Sequence, residues 1–566
     1  MKVGIDFGTS TSEIAYVNPD GQVVLIPNHL GEFITPSVVY IQEDFTPIIG
    51  RDAKEKALIE PENAMLEVKR LFGGNHAVIA RRKVYTPVEA AAMIIKYLAD
   101  CAIAATGEKV DSAVVTVPAY FTDAQRKDVL QAGRDAGLKV DRIINEPTAA
   151  SLDYGMRHLR ECQHILIYDL GGGTLDVTVL ELFEGVVDVK SSCGNNALGG
   201  KDFDQALMDY IVKAVKAASK ARLSKDPRAM MRVKIAAEQC KIALSTDQEY
   251  RIDLPFIGGT ADTPVGYSET ITRNLFESLI KAKVYSTEHQ IRTALEDALL
   301  DPADIDLVLM VGGSTGIPLV SNFLHEIFGR SPDITVDPDL AVVRGAAIQA
   351  GVLAGTLSED AIVLTDICPH SLSTKTVRNV GLFDIREPFC HILIPRNATL
   401  PAEVSEIYET ASDNQTSVIV TAYQGESEEP EENILLGAFE LAGIPGARAG
   451  KEKIKICFAY NLNGILDISA EILSTGKIAA ATVDTAKSGK NVDLSLWPKA
   501  SNAPKYKKVI NKAERMLKLH GDDADRVKKT ADDLKKALVL SWEKEVCDNL
   551  KRILEYEIEV LEDELL

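Results

Sequence analysis

The sequence predicts a multidomain chain: an α/β domain with a duplicated lobe over residues 1–360, a β-sandwich over 368–500 and a short α-helical segment over 501–566. Three observations predict it. Strand-like and helix-like runs alternate through the first 360 residues, as in an α/β architecture. Two segments inside that stretch are alike, GIDFGTSTSEIAYV (4–17) and IYDLGGGTLDVTVL (167–180), each running strand, Asp, Gly-containing turn, Thr, strand. From about residue 361 the texture changes to short β-rich runs, and from about 503 to helical spacing.

Taken in order, VGIDFG, VVLIPN and SVVYIQ read as strands, and residues 87–105 as a helix. SAVVTVPA is a strand, 122–136 a helix, and HILIYDL, VTVLELF and LVLMVGG are strands. After AIVLTDICPHSL come HILIP, EVSEIYET, TSVIVTAY, KIKICFAY and LDISAEI, separated by the turn signals DNQ, NLNG and STG. Regularly spaced short strands of this kind argue for a sandwich. Near the end, Val546, Leu550, Ile553, Leu554, Ile558 and Leu561 fall at helix spacing and predict an apolar stripe.

Composition narrows the function. Of 566 residues, 46% are hydrophobic and 26% charged, which suits a soluble globular protein and excludes wholesale disorder or a fibrous repeat. The net charge of −21 argues against nucleic acid and anionic membrane as general partners. Eight cysteines form no C-x-x-C pair, so neither a zinc site nor a disulfide framework is signalled, and a reducing cytoplasm fits best. Asp6 interrupts the N-terminus before an apolar run can form, so no secretory signal is expected. EAAAMIIKYLADCAIAA carries Lys96 and Asp100 and reads as a buried helix, not a spanning one.

The repeated hairpins carry the chemistry. Each strand delivers an Asp at its end, Asp6 and Asp169, followed by glycines, Gly8 and Gly171-Gly172-Gly173, and then a hydroxyl, Thr9 and Thr174. Glycines let backbone N–H groups approach and cradle an anion. A carboxylate beside them would repel phosphate unless a cation intervenes, so the pair implies Mg²⁺ between carboxylates and phosphates. One hairpin alone would be a tight turn; two matching copies favour phosphate. Other phosphate motifs are absent. Gly200-Lys201 is followed by Asp202, so there is no P-loop. The DFG at 6–8 has too few residues upstream for a kinase, and LGGGTLD continues as a strand, against a dinucleotide fold.

With IPNHLGEFITPSVV, VKRLFG, TVPAYFTDAQR, RIINEPTAA, LGGKDFD, AAEQCKIALS, LVLMVGGSTGIP, DNQTSVIVTAYQGE and NLNGILDISA in collinear order, the chain resembles the seventy-kilodalton heat-shock (DnaK-type) chaperone family over roughly residues 1–500. LTDICPHSL and the short C-terminus look most like its HscC branch.

The resemblance implies an actin-like α/β ATPase of two RNase H-like lobes, a β-sandwich peptide-binding domain and a short helical lid. ATP or ADP would lie between the lobes, with Asp6 and Asp169 flanking hydrated Mg²⁺ and K⁺. Thr9 and Thr174 would contact phosphates, Thr174 near the γ-phosphate, and Gly8, Ser10, Gly171, Gly172 and Gly173 would line the same loops. Lys69 is similar to the catalytic lysine, which orients water and offsets phosphate charge. Glu146, Asp169 and Thr174 join it in the catalytic set, and Asp176 matches a further site carboxylate. Glu238, Lys241 and Ser245 match an adenosine-contacting helix face. Gly199, Gly200, Gly312, Gly313 and Asp339 match other nucleotide contacts.

Coupling would run through Pro118 and Arg126, as switch and relay, and through the linker at 361–367, Ile362-Val363-Leu364-Thr365-Asp366 among it. Arg142, Asn145 and Asp366 match positions of J-domain signalling. An extended apolar polypeptide would be held near Val377, Tyr408, Ala411, Gln415, Val418 and Val420. Taken alone, Tyr408 and Val420 read as sandwich core, and Val363–Asp366 as a buried strand. The implied partners are unfolded polypeptides, a J-domain co-chaperone and a nucleotide-exchange factor; the implied state is a monomer.

Departures matter too. Ser10 and Thr11 are substitutions in the phosphate loop, Gly316 stands where an arginine commonly stacks on adenine, and Lys201 replaces a common glutamate, which would loosen a contact across the cleft. The stretch from Phe72 to Tyr97 is trimmed, and GLFDIREPFCH (381–391) resembles an insertion beside the peptide site. The short C-terminus implies a shorter lid and faster peptide exchange. Two other functions compete: a peptide-binding adaptor with vestigial ATPase, and a phosphotransferase on the same scaffold, against which the β-domain argues.

Overall fold

The computed structural model describes residues 1–566 except 75, 159–160, 220–221, 260–263, 334–336, 359–362, 381–384, 483–496, 499, 501, 521–524, 540–546, 549, 553, 556–557, 559–560 and 562–566. Ile362, Val546, Ile553 and the first residues of GLFDIREPFCH therefore lie outside the described residues.

Each repeated segment sits at the middle of a sheet. Lys2–Phe7 forms an antiparallel hairpin with Thr11–Val17 and lies parallel to Ser112–Val117 on its other side. Cys162–Leu170 does the same with Leu175–Phe183 and Leu307–Val311. The two hairpins also agree in register. Asp6 stands opposite Glu13, and Asp169 opposite Asp176, so each turn carries a pair of carboxylates at its base.

Between the sheets lie two helices, Glu146–Gly155 and Ala341–Ala354, whose apolar residues share a core with Val114 and Ile144 of one sheet and Ile165, Ile167 and Leu309 of the other. Their close approach demands glycine. A Cβ on Gly345 would stand 1.7 Å from the Ala149 carbonyl oxygen, and one on Gly4 2.2 Å from the Ala347 nitrogen. The outer face of the first sheet is covered by Pro87–Thr106 and Asp123–Asp135. Both start at capping boxes, Thr86 with Glu89 and Thr122 with Gln125, which satisfy N–H groups that a helix end leaves free. Gly200–Ser219, Pro227–Leu244 and Arg273–Tyr285 cover the second sheet.

After the second sheet come two four-stranded antiparallel sheets packed face to face. Leu372–Val380, Ile434–Ala442 and Lys477–Thr482 are strands there that the sequence reading did not single out. Their partners close the core around Phe458, Tyr460, Leu466 and Ile468. The strand Val363–Ile367 joins the two halves. It pairs in parallel with Val186–Asn195, and its Asp366 and Ile367 then pair with Leu400 and Thr399. It thus extends the second sheet into the β-domain.

The helices Ala503–His520 and Asp525–Val539 follow. Leu550, Leu554, Ile558 and Leu561 of the expected stripe are buried with Tyr506, Ile510 and Leu534. The same core takes in Ala77, with Ile79 and Val84 packed against it. The helices therefore cover the short hairpin Val78–Ala80/Lys83–Tyr85, which occupies the trimmed stretch. Among the described residues no helix is long and apolar enough to cross a membrane.

Candidate functional site

The two hairpin turns meet face to face. A Cβ on Gly172 would fall 2.1 Å from Ser10 Oγ, one on Gly173 2.6 Å from Thr9 Oγ1, and one on Gly199 2.5 Å from the Gly173 nitrogen. Glycine is needed at these positions because two loops and a helix start converge there. Thr9 and Thr174 are buried at the junction.

Below the turns lies a cluster of charge. Lys69 Nζ is 2.6 Å from Glu146 Oε1, and the residue is 2% exposed. Its ammonium lies 5.7 and 5.6 Å from the ring centres of Phe7 and Phe121. Asp6 accepts a 2.6 Å hydrogen bond from Thr116 Oγ1. The backbone N–H of Tyr120 donates to Asp176 Oδ1 at 3.1 Å. Asp169 Oδ2, Asp176 Oδ2 and Glu13 Oε1 are buried with no hydrogen-bond partner.

The electrostatics follow from this crowding. Burial, then the Glu146 charge, pushes the Asp6 carboxyl up to about 7. The same two causes raise Asp176 to about 7 and Asp169 well above its ordinary range. One lysine cannot balance Asp6, Glu146, Asp169 and Asp176 in so little water. A divalent cation would offset most of the excess negative charge, so the residues present fit one. Among the described residues no cluster of three or more acidic, His or Cys ligands forms a protein-only cage. Two carboxylates supplemented by water and phosphate oxygens suit a hard cation that dehydrates reluctantly.

Above the turns a cleft of about 350 Å³, counting its open mouth, is lined by Thr9, Ser10, Lys54, Glu67, Lys201 and Glu238. Glu238 accepts from Lys201 at 2.7 Å and from Lys54, on the opposite wall, at 2.5 Å. Lys234 pairs with Glu67 at 2.5 Å, and Arg70 with Asp202 at 2.8 Å. Three ion pairs therefore span the cleft. The expected loosening at Lys201 is not what the structure shows: Lys201 braces the glutamate that reaches across. Lys241 bonds the Gly200 carbonyl and Asp204 at 3.1 and 2.8 Å, while Ser245 caps its helix. Gly312 has φ +80°, and a Cβ on it would meet the Leu170 carbonyl and Asp169 Oδ1, while one on Gly313 would meet Asp339 Oδ1 at 2.8 Å. Gly316 faces open space.

Residues expected to couple the domains are also brought together. Asn145 Nδ2 donates to both Asp366 oxygens at 2.8 and 3.0 Å, and its Oδ1 accepts from Arg126 at 2.7 Å. Arg126 holds the carbonyls of Ala119 and Phe121, directly after Pro118. Arg142 faces the Asp366 charge without a hydrogen bond from its Nε. Leu364 packs partly buried on the core between the sheets.

At the expected peptide site the picture is mixed. Val377 is 45% exposed, and Val418 packs partly buried on the sandwich core. Gln415 ties the turn, accepting from the Ala411 N–H at 2.9 Å and donating to the Ser417 carbonyl at 3.1 Å. Tyr408 hydroxyl bonds His391 Nδ1 at 2.9 Å. Val420 is 2% exposed and belongs to the sandwich core, so a direct peptide contact from it is corrected to a supporting one.

Several residues were missed: Glu13, Lys54, Glu67, Lys234 and Asp202. Only Glu13 had a local signal, its register opposite Asp6 matching that of Asp176 opposite Asp169.

Comparison with known proteins decides the family. The Hsp70 protein family model matches residues 2–83 and 74–565. The chain belongs to the Hsp70 family. A protein from Thermotoga petrophila named chaperone protein DnaK is 42% identical over 538 residues, spanning 92% of this chain and 89% of the relative. Those of Thermotoga neapolitana and Thermosipho africanus are 45% and 44% identical, each covering 84% of this chain and 79% and 78% of their own lengths. As an Hsp70 the chain is an ATP-dependent, ATP-hydrolysing chaperone, and the turns and carboxylates described above are its nucleotide-site candidates.

Proposed function

We propose that ATP hydrolysis here drives binding and release of extended, apolar polypeptide segments through the strand Val363–Ile367. The observation that carries this is the continuous hydrogen-bonded path from the loop after Pro118, through Arg126 and Asn145, to Asp366 at the entry to the β-domain. We divide the chain into a nucleotide domain of 1–360, a linker of 361–367, a peptide-binding domain of 368–500 and a lid of 501–566. The hairpins with matching registers support two related lobes in the first.

Within the site, Asp6 and Asp169 would hold Mg²⁺, which offsets phosphate charge, and K⁺ would lie beside it. The unpartnered Asp169 oxygen supports that role. Lys69, fixed by Glu146 and two aromatic rings, orients the attacking water and balances charge spreading onto phosphate oxygens. Thr9, Thr174 and the glycine N–H groups hold the phosphates in line. ATP and peptide must change each other's affinity reciprocally. Arg142, Asn145 and Asp366 would answer a J-domain partner. An exchange factor, a cytoplasmic location, a monomeric state and the HscC-branch likeness complete the proposal.

Single-turnover ATP hydrolysis, with and without an unfolded peptide and a J-domain protein, tests it. Stimulation by both is expected. Peptide binding with no hydrolysis would instead favour the adaptor reading. Lys69→Ala is expected to abolish hydrolysis while ATP still binds, and wild-type turnover in that variant would refute the role given to Lys69.

A further inference from the structure

Within LTDICPHSL one side chain is not accounted for by the nucleotide path. His370 is 9% exposed and lies between the two domains. Its Nε2 is 3.1 Å from the Tyr120 carbonyl oxygen, and the two rings are 4.0 Å apart. Tyr120 is the residue whose N–H holds Asp176 in the nucleotide site. One peptide unit either side of a single residue therefore ties the β-domain to a buried site carboxylate.

We propose that His370 is a proton-sensitive clasp: its neutral ring positions Tyr120 while the domains are docked, and its protonation favours their separation. The inference rests on the proposed coupling through Val363–Ile367, taken as a strand that is docked beside Val186–Asn195 in one nucleotide state and released in another. A neutral imidazole with hydrogen on Nε2 suits the Tyr120 carbonyl. An imidazolium does not suit the surroundings. Burial disfavours it first, the Arg126 guanidinium opposes it, and the exposed Glu426 and the Tyr120 carbonyl offset it only in part, so the docked ring is held below its ordinary range. Asp366 and Cys368 share the interface on the histidine's own segment, and Asp297, Arg396 and Cys193 face the Tyr120 phenol. Once undocked, the ring returns to an ordinary value near ~6.5 and takes up a proton below it. Docking contributed by His370 is thus full above that value and weakens as pH falls through it, by at most about tenfold at one pH unit below.

Asp366 is buried and raised, so it titrates in the opposite sense. The test must isolate the histidine. In the full chain with saturating ATP, an endoprotease that cuts before Leu and Ile reads the undocked fraction as cleavage within 363–367. Wild type is compared with His370→Gln, which keeps a donor but does not titrate, and His370→Leu, which lacks both, at each pH from 5.5 to 7.5. The ratio of wild-type to His370→Gln cleavage is expected to rise several-fold, up to about tenfold, as pH falls. His370→Leu is expected to be cut faster than His370→Gln at pH 7.5. A flat ratio with slow cleavage would overturn the clasp while leaving docking intact. Rapid cleavage of all three proteins at every pH would overturn docking and the clasp with it.

Discussion

Replacing Lys54 with methionine should open the nucleotide cleft. Burial pushes the Glu238 carboxyl up, yet Lys201 and Lys54 together hold it down to about 2, against an ordinary value of 4.5. At ~1.4 kcal/mol per pH unit, that difference corresponds to about 3 kcal/mol in favour of the charged form. The two lysines share it, and only Lys54 sits on the far wall. Its side chain is 29% exposed, so water takes part of its share. A loss of about 1–2 kcal/mol from the closed cleft remains, which is roughly a 5- to 30-fold faster release of ADP. Release can be followed by stopped flow with a fluorescent ADP analogue. Lys54→Met should accelerate it, and the removal of the Arg70–Asp202 pair by Asp202→Asn should accelerate it further. An unchanged or slower release in Lys54→Met would refute the claim that this pair holds the cleft shut.

Other outcomes follow from the same geometry. Gly316→Arg meets no atom within 4 Å of its Cβ, so it should be tolerated and tighten ADP binding about fivefold through adenine stacking, worth ~1 kcal/mol; equilibrium titration checks it. Asp366→Ala removes both Asn145 contacts and should leave basal hydrolysis intact while slowing ATP-triggered peptide release, measured with a labelled peptide. In the nucleotide-free chain the raised Asp6 and Asp176 carboxyls favour the folded state most below pH 3.8, and that contribution is lost as pH rises through about 7. The thermal midpoint should therefore fall between pH 5 and 8, and Mg²⁺ with ADP should flatten the slope; a flat profile without ligand would contradict the electrostatic account.

The phosphate turns were legible because their chemistry is local. Asp6, Gly8 and Thr9 fall within four consecutive positions, and the same pattern returns at Asp169, Gly171–Gly173 and Thr174. The coupling path was legible only through resemblance, since Asn145 and Asp366 are 221 residues apart. Lys54 had neither local pattern nor motif to mark it, and its partner Glu238, 184 residues away, was marked only by a resemblance that gave it an adenosine contact. Lys201 was misjudged for the same reason. A departure from a usual residue says that a contact differs, but not which partner the new charge will find.

By itself the sequence determined the α/β alternation, the repeated hairpins, the switch to short strands and the carboxylate–glycine–hydroxyl turns. Each is a pattern of neighbours, and local sterics and hydrophobic period act on neighbours. Only the tertiary structure decided that the linker is a strand pairing with Val186–Asn195 and then with Thr399–Leu400, that the terminal helices cover the hairpin of the trimmed stretch, and that His370 meets Tyr120. Those contacts join surfaces distant in the chain, and whether two such surfaces fit depends on their shape and charge once folded.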